Sequence, residues 1–207
     1  MMRLIDLSYP LANDSPVYPS DPPLIIKHEK EYDRDGYNLF TITTTMHVGT
    51  HLDAPIHLTE SQKTIDEYPI DCFFGRGILI NAYGEKVIDY QKSYENMIKS
   101  QDCILIYTGH GEHYPSTKYF NDHPIITNEM AQFLVEQKVK LVGIDFPSPD
   151  YEPYDVHKIL LSNDIFLLEN VCNLENLLGI FRFKLMCFPL KVKAEASLVR
   201  AVALLED

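Results

Sequence analysis

Residues 47–57, HVGTHLDAPIH, put three imidazoles and a carboxylate into one short span and thereby restrict how the chain around them can run. Upstream, residues 40–46, FTITTTM, are rich in β-branched side chains and read as a strand that delivers this cluster. If the strand stayed extended, His47 and His51 would share a face but stand about 13 Å apart, at about 3.3 Å per residue. That separation is too large for two imidazoles to share one ion through bonds of about 2 Å. The chain must therefore curl just after His47, and Gly49 is the residue that tolerates an unusual backbone there. Placed on a helical turn, the i, i+4 spacing would bring the two rings onto one face about 6 Å apart. Pro55 then stops regular pairing beyond Asp53.

Neutral imidazole and carboxylate are the usual ligands of zinc, manganese or iron, and catalytic sites take three protein groups and leave a position open. His47, His51 and Asp53 supply such a triad. The competing reading is a Thr-rich loop whose polar groups satisfy one another; three histidines with an intervening aspartate favour the metal. Spacing alone leaves His57 as either a fourth ligand or a nearby proton carrier.

A chain of 207 residues, 45% hydrophobic, can bury a substantial core as a single domain over residues 1–207. Its first residues, MMRLIDL, carry charges among the apolar positions and read as neither a signal peptide nor a membrane span, so a soluble cytoplasmic protein is expected. Cys72, Cys103, Cys172 and Cys187 are widely spaced without a Cys-x-x-Cys pair, which favours reduced thiols over disulfides or a thiolate site. A net charge of -12 repels phosphate backbones and argues against a nucleic-acid partner.

Along the chain, residues 3–8 read as an opening strand, residues 14–23 as an irregular Pro-rich arm, and residues 24–28 with 38–45 as a hairpin feeding the histidine cluster. Strands are expected at 77–82, 103–108, 139–145, 165–168, 182–189 and 198–205, with helical character at 89–100, 128–137 and 157–161. Thr127 fits an N-cap of the second helix and Asp155 of the third. The order strand, helix, strand around 128–137 predicts a parallel crossover in an α/β fold. His110, His113 and His123 are unevenly spaced, which favours solvent or substrate contact over metal ligation. Glu169 ends an apolar strand, where a partner cation would offset its burial.

The histidine segment resembles the signature of the cyclase family of metal-dependent hydrolases, whose best-known branch is the bacterial-type kynurenine formamidase. Every fixed position of the pattern His-x-Gly-x-His-x-Asp-Ala-Pro-x-His is present. Tyr18-Pro19-Ser20-Asp21-Pro22 resembles the family's aromatic-Pro-x-Asp-Pro segment, and Gly143-Ile144-Asp145-Phe146-Pro147-Ser148 its Gly-Ile-Asp-x-Pro-Ser segment. The resemblance implies a mixed α/β/α-type, swivelling β/β/α-like fold with a β-rich core, and hydrolysis of an amide by metal-activated water. It implies that His47, His51, Asp53, His157 and Glu169 hold one or two metal ions, zinc or manganese, with Asp53 and Glu169 reaching towards a second ion at His157. It makes His57 the proton carrier and puts Tyr18 in a substrate-lining arm. N-formylkynurenine, yielding kynurenine and formate, is the implied substrate; a cyclic amide or another small acyl compound is the enzymatic alternative, and a non-catalytic metal-binding scaffold the other. A homodimer or larger assembly is implied as well. Ala194 and Ala196 stand where relatives commonly carry glycines, and alanine resists positive φ, so the shape of that rim is the point where the resemblance is weakest.

Overall fold

The computed structural model describes residues 3–114 and 116–205, and these hold thirteen strands and five short helices. The strands are β1 (Arg3–Asp6), β2 (Ile25–Lys30), β3 (Leu39–Thr43), β4 (His51–Asp53), β5 (Phe74–Asn81), β6 (Val87–Ile88), β7 (Cys103–Tyr107), β8 (Ile125–Ile126), β9 (Leu141–Ile144), β10 (Phe166–Glu169), β11 (Phe183–Met186), β12 (Ala196–Leu198) and β13 (Val202–Leu205). The helices are α1 (Tyr32–Asp35), α2 (Tyr94–Met97), α3 (Lys118–Asn121), α4 (Asn128–Glu136) and α5 (Asp155–Leu161).

Nine strands form one mixed sheet in the order β1-β13-β11-β5-β7-β9-β10-β4-β12. The strands β5, β7, β9 and β10 run parallel, and the flanking pairs are antiparallel. Crossovers through α4 and α5 join β7 to β9 and β9 to β10, the connection that the strand, helix, strand order predicts. The sheet is curled. If it were flat, β12 and β13 would lie about 34 Å apart at about 4.8 Å per strand. Yet only residues 199–201 join them, a link that spans roughly 14 Å at most. Hydrogen bonds close the gap, from Leu7 N to the Ala201 carbonyl and from Val199 N to the Thr50 carbonyl.

Alternation along the central strands feeds two cores. Ile104 and Ile106 of β7 face Val142, Met130, Leu134 and Leu160 on the helix-covered side, whereas Cys103 and Leu105 face Leu52, Phe166, Leu168 and Phe183 on the other. Helix α4 begins where Thr127 Oγ1 accepts from Met130 N at 3.1 Å, and buries Met130, Ala131, Phe133 and Leu134. The four cysteines are free thiols, with Cys103 and Cys187 buried.

Several elements differ from the sequence reading. The apolar run 198–205 is two strands rather than one, because Arg200 turns outward to pair with Asp6 while Ala201 N bonds Ser8 Oγ. Helical character at 89–100 shrinks to α2, since β6 pairs with β8 just before it and Asp89 accepts from Thr127 Oγ1. The hairpin β2–β3 does form, but as a separate ribbon, with all five residues of β3 exposed. Among the described residues no helix is long and apolar enough to cross a membrane.

Candidate metal centre

The antiparallel pairing of β4 with β10 sets His51 directly across from Glu169. Facing residues of such a pair project on the same side, and so does the residue two further along the strand. His51, Asp53 and Glu169 therefore share one buried face. His47 joins them through bends at residues 46–50, where Gly49 has φ +61° and a side chain would run into Leu11. The curl after His47 is thus present, made by bends and not by a helical turn, and it brings the His47 and His51 ring centroids to 5.0 Å. His157 enters from the first turn of α5.

The resulting contacts are close: His47 Nδ1 to Asp53 Oδ1 3.0 Å, His51 Nε2 to Asp53 Oδ1 3.5 Å, His51 Nε2 to Glu169 Oε2 3.3 Å and His157 Nε2 to Glu169 Oε1 3.4 Å. They resolve into two sets that share Asp53, namely His47, His51 and Asp53, and Asp53, His157 and Glu169; within each set the donor atoms lie within 4.8 Å of one another. His51 Nε2, Asp53 Oδ1 and Glu169 Oε1 are buried without a hydrogen-bond partner. Two carboxylates buried beside an unpartnered imidazole nitrogen are expensive to leave uncompensated, and a divalent cation is the group that this donor set fits.

Behind these atoms, hydrogen bonds fix the rings. His51 Nδ1 donates to the Gly49 carbonyl at 2.9 Å, which also accepts from Asn170 Nδ2 at 2.8 Å, while Tyr119 donates its hydroxyl to Asn170 Oδ1 at 2.8 Å. His157 Nδ1 bonds Asp150 Oδ1 at 2.5 Å, and Asp150 Oδ2 accepts from Val156 N at 2.7 Å. Asp150, not Asp155, therefore caps α5; Asp155 is its first helical residue and is exposed. In both rings Nε2 is left free to face the carboxylates.

Electrostatics follow from this crowding. Burial pulls the His47 imidazole down, but the adjacent Asp53 carboxylate outweighs it and pushes the ring up to about 11. Burial likewise opposes the charged form of His157, and its bonds to Asp150 and Glu169 push it up to about 9. Burial raises Asp53, yet the surrounding histidines hold it well below the usual carboxylate range. Burial and the charge of Asp53 raise Glu169, and its bonds to His157 and His51 bring it below its ordinary value. A cation entering the cluster would meet carboxylates already ionised and release imidazole protons. His57 differs, because burial lowers its pKa.

The cluster opens into a cavity of about 260 Å³ lined by Tyr18, Asp21, His57, Phe120, Ser148 and Tyr154, among others. His57 sits in the turn Pro55–His57, its ring centroid 4.3 Å from that of His47 and 6.3 Å from that of His157. Tyr18 packs edge-on to Phe120 at 5.8 Å. His110 and His123 are buried, with ring nitrogens on the carbonyls of Tyr119 and Pro124, which corrects the expectation of solvent or substrate contact. Neither Ala194 nor Ala196 has positive φ, and Ala196 pairs with Asp53 in extended backbone, so alanine fits that rim without strain. Sequence reasoning missed Asp150 and Glu195; the first had a local signal, an aspartate in the turn just ahead of a short helix.

Residues 5–151 match the family model described as "Putative cyclase". The chain belongs to the cyclase family. Kynurenine formamidase of Bacillus mycoides is 30% identical over 206 residues, covering 96% of this chain and 95% of that protein. An uncharacterized protein of Methanocaldococcus jannaschii is 31% identical over 206 residues, covering 99% of this chain and all (100%) of that one. Among solved structures, isatin hydrolase A from Labrenzia aggregata, bound to benzyl benzoate, superposes with a TM-score of 0.89 at 22% identity, over 100% of this chain and 94% of that one. This cyclase-family chain thus shares its curled mixed sheet with that structure.

Proposed function

We propose that this cyclase-family chain is a metal-dependent hydrolase of carbon–nitrogen amide bonds whose substrate is N-formylkynurenine, released as kynurenine and formate. The observation that carries the reading is the convergence of five ligand-type side chains, three of their atoms buried without partners, four of them lining a cavity that also holds His57. Curated relatives named kynurenine formamidase, about 30% identical over nearly the full length, support the choice of substrate.

His47, His51, Asp53, His157 and Glu169 would hold one or two divalent ions, zinc or manganese. Such an ion, when bound, polarises a carbonyl oxygen and acidifies water. The rest is work for the chain's own groups. His57, kept neutral by its burial, takes a proton from attacking water at a ring nitrogen and returns it to the departing amine nitrogen. Tyr18, Phe120 and Tyr154 offer aromatic faces to the anilide ring, and Asp21 offers a carboxylate to an α-ammonium group. Four free thiols suit a reducing, cytoplasmic setting.

A homodimer belongs to the same proposal. An isolated two-stranded ribbon is marginal in water. The β2–β3 ribbon leaves Ile25, Leu39, Phe40 and Ile42 exposed by 44–59%, apolar area that a second copy would cover. Sedimentation equilibrium of wild type against Phe40→Glu tests this, a dimer weakened by the charge being expected.

The substrate test is a panel of N-formylkynurenine, formanilide and a cyclic amide offered to the zinc-loaded protein. Formate release highest with N-formylkynurenine is expected. Ring opening of the cyclic amide without formate release from the other two would overturn the substrate assignment.

A further inference from the structure

We propose that Glu195 is a positioning residue, whose carboxylate would hold the His47 imidazole, in the ion-loaded protein, in the tautomer that keeps the N–H on Nε2 and leaves the Nδ1 lone pair for an ion shared with Asp53. The inference rests on the reading of the cluster as a metal site. His47 Nε2 lies 3.3 Å from Glu195 Oε1, while its Nδ1 faces Asp53 at 3.0 Å. A neutral imidazole has one N–H and one lone pair, so an acceptor on one nitrogen decides the role of the other. The same arrangement holds at the other two rings, where His51 Nδ1 sits on the Gly49 carbonyl and His157 Nδ1 on Asp150. Glu195 completes the pattern for the third.

The backbone explains why this side chain is in place. The Glu195 carbonyl accepts from Ala54 N at 2.9 Å, and the Ala194 carbonyl from Ile65 N at 3.0 Å, which ties the segment to the histidine motif and to the chain just beyond it. Ala196, the first residue of β12, is fully buried, and alternation along extended chain turns Glu195 the other way, over the rim. Its side chain is 42% exposed and belongs to neither ligand set. It reaches the centre through His47.

The test is a competitive chelator titration of zinc with wild type, Glu195→Ala and Glu195→Gln, joined to the ¹⁵N spectrum of the His47 ring in the zinc-loaded protein. Loss of such an outer carboxylate weakens metal binding by about 10–100-fold. E195A should show that loss and a mixed His47 tautomer. E195Q, whose amide oxygen accepts the same bond, should recover part of both. If E195A fails to fold, Glu195→Leu, which keeps bulk without an acceptor, must show the same changes. Wild-type affinity and an unchanged His47 tautomer in the variants would overturn the proposal. A wild type that binds no zinc would instead overturn the metal-site reading.

Discussion

Replacing Asp150 separates two accounts of how His157 is held. Asp150→Ala removes the acceptor for Val156 N (2.7 Å), for His157 N (3.4 Å) and for His157 Nδ1 (2.5 Å) in one step. Losing a helix cap costs about 1 kcal/mol. Stranding a buried imidazole N–H adds about 1–3 kcal/mol, and His157 is only 4% exposed. Together the metal-free protein should lose about 2–4 kcal/mol in urea unfolding. Asp155→Ala is the control. Asp155 is exposed and makes no cap bond, so its loss should cost only the dipole contribution of about 0.3–1 kcal/mol. The metal affinity of D150A should fall by about 10–100-fold, because the ring loses the bond that sets its tautomer. A D150A protein within about 0.5 kcal/mol of wild type, or a D155A protein that is the less stable of the two, would refute the reasoning.

Two further outcomes follow from the same geometry. His57→Ala should lower turnover by about 10²–10⁴-fold with metal content unchanged, as expected for a proton carrier, and loss of metal from that variant would make His57 a ligand. Asp145 is buried, and burial pushes its carboxyl up to about 6 from 3.8 despite bonds from Thr108 and Gly109. The folded state therefore binds the proton more tightly than the unfolded one. That contribution is fully present below pH 3.8 and is lost as pH rises through about 6, about 3 kcal/mol in all. Urea stability of wild type relative to Asp145→Asn should fall across that window; a difference that stays flat with pH would contradict the assignment.

How much of this was legible in the sequence depends on range. His47, His51, Asp53 and His57 lie within one turn-forced segment, so their meeting could be argued from spacing and from Gly49 alone. His157 came only through family resemblance, and Glu169 showed locally only as a strand-end carboxylate in want of a cation, because nothing in a local pattern says that β10 will lie beside β4. Glu195 carried no signal at all, since its contact with His47 exists only once the sheet has curled and β12 has closed on β4. The central strands and α4 were readable from apolar alternation and the Thr127 cap. The break between β12 and β13 was not, because apolar residues on both sides of Arg200 disguise a corner set by Asp6 and Ser8. Similarly, His110 and His123 are polar enough for solvent, and only tertiary packing shows them buried, each with one ring nitrogen on a backbone carbonyl.

Amide cleavage should depend on a divalent ion held by the five-residue cluster. Formate release from N-formylkynurenine, followed in one preparation before chelation, after chelation and after zinc is returned, tests it most directly. Activity that disappears with the metal and comes back with it, and that stays absent throughout in His51→Ala, is the predicted result. Formate release that survives complete removal of metal would contradict the account.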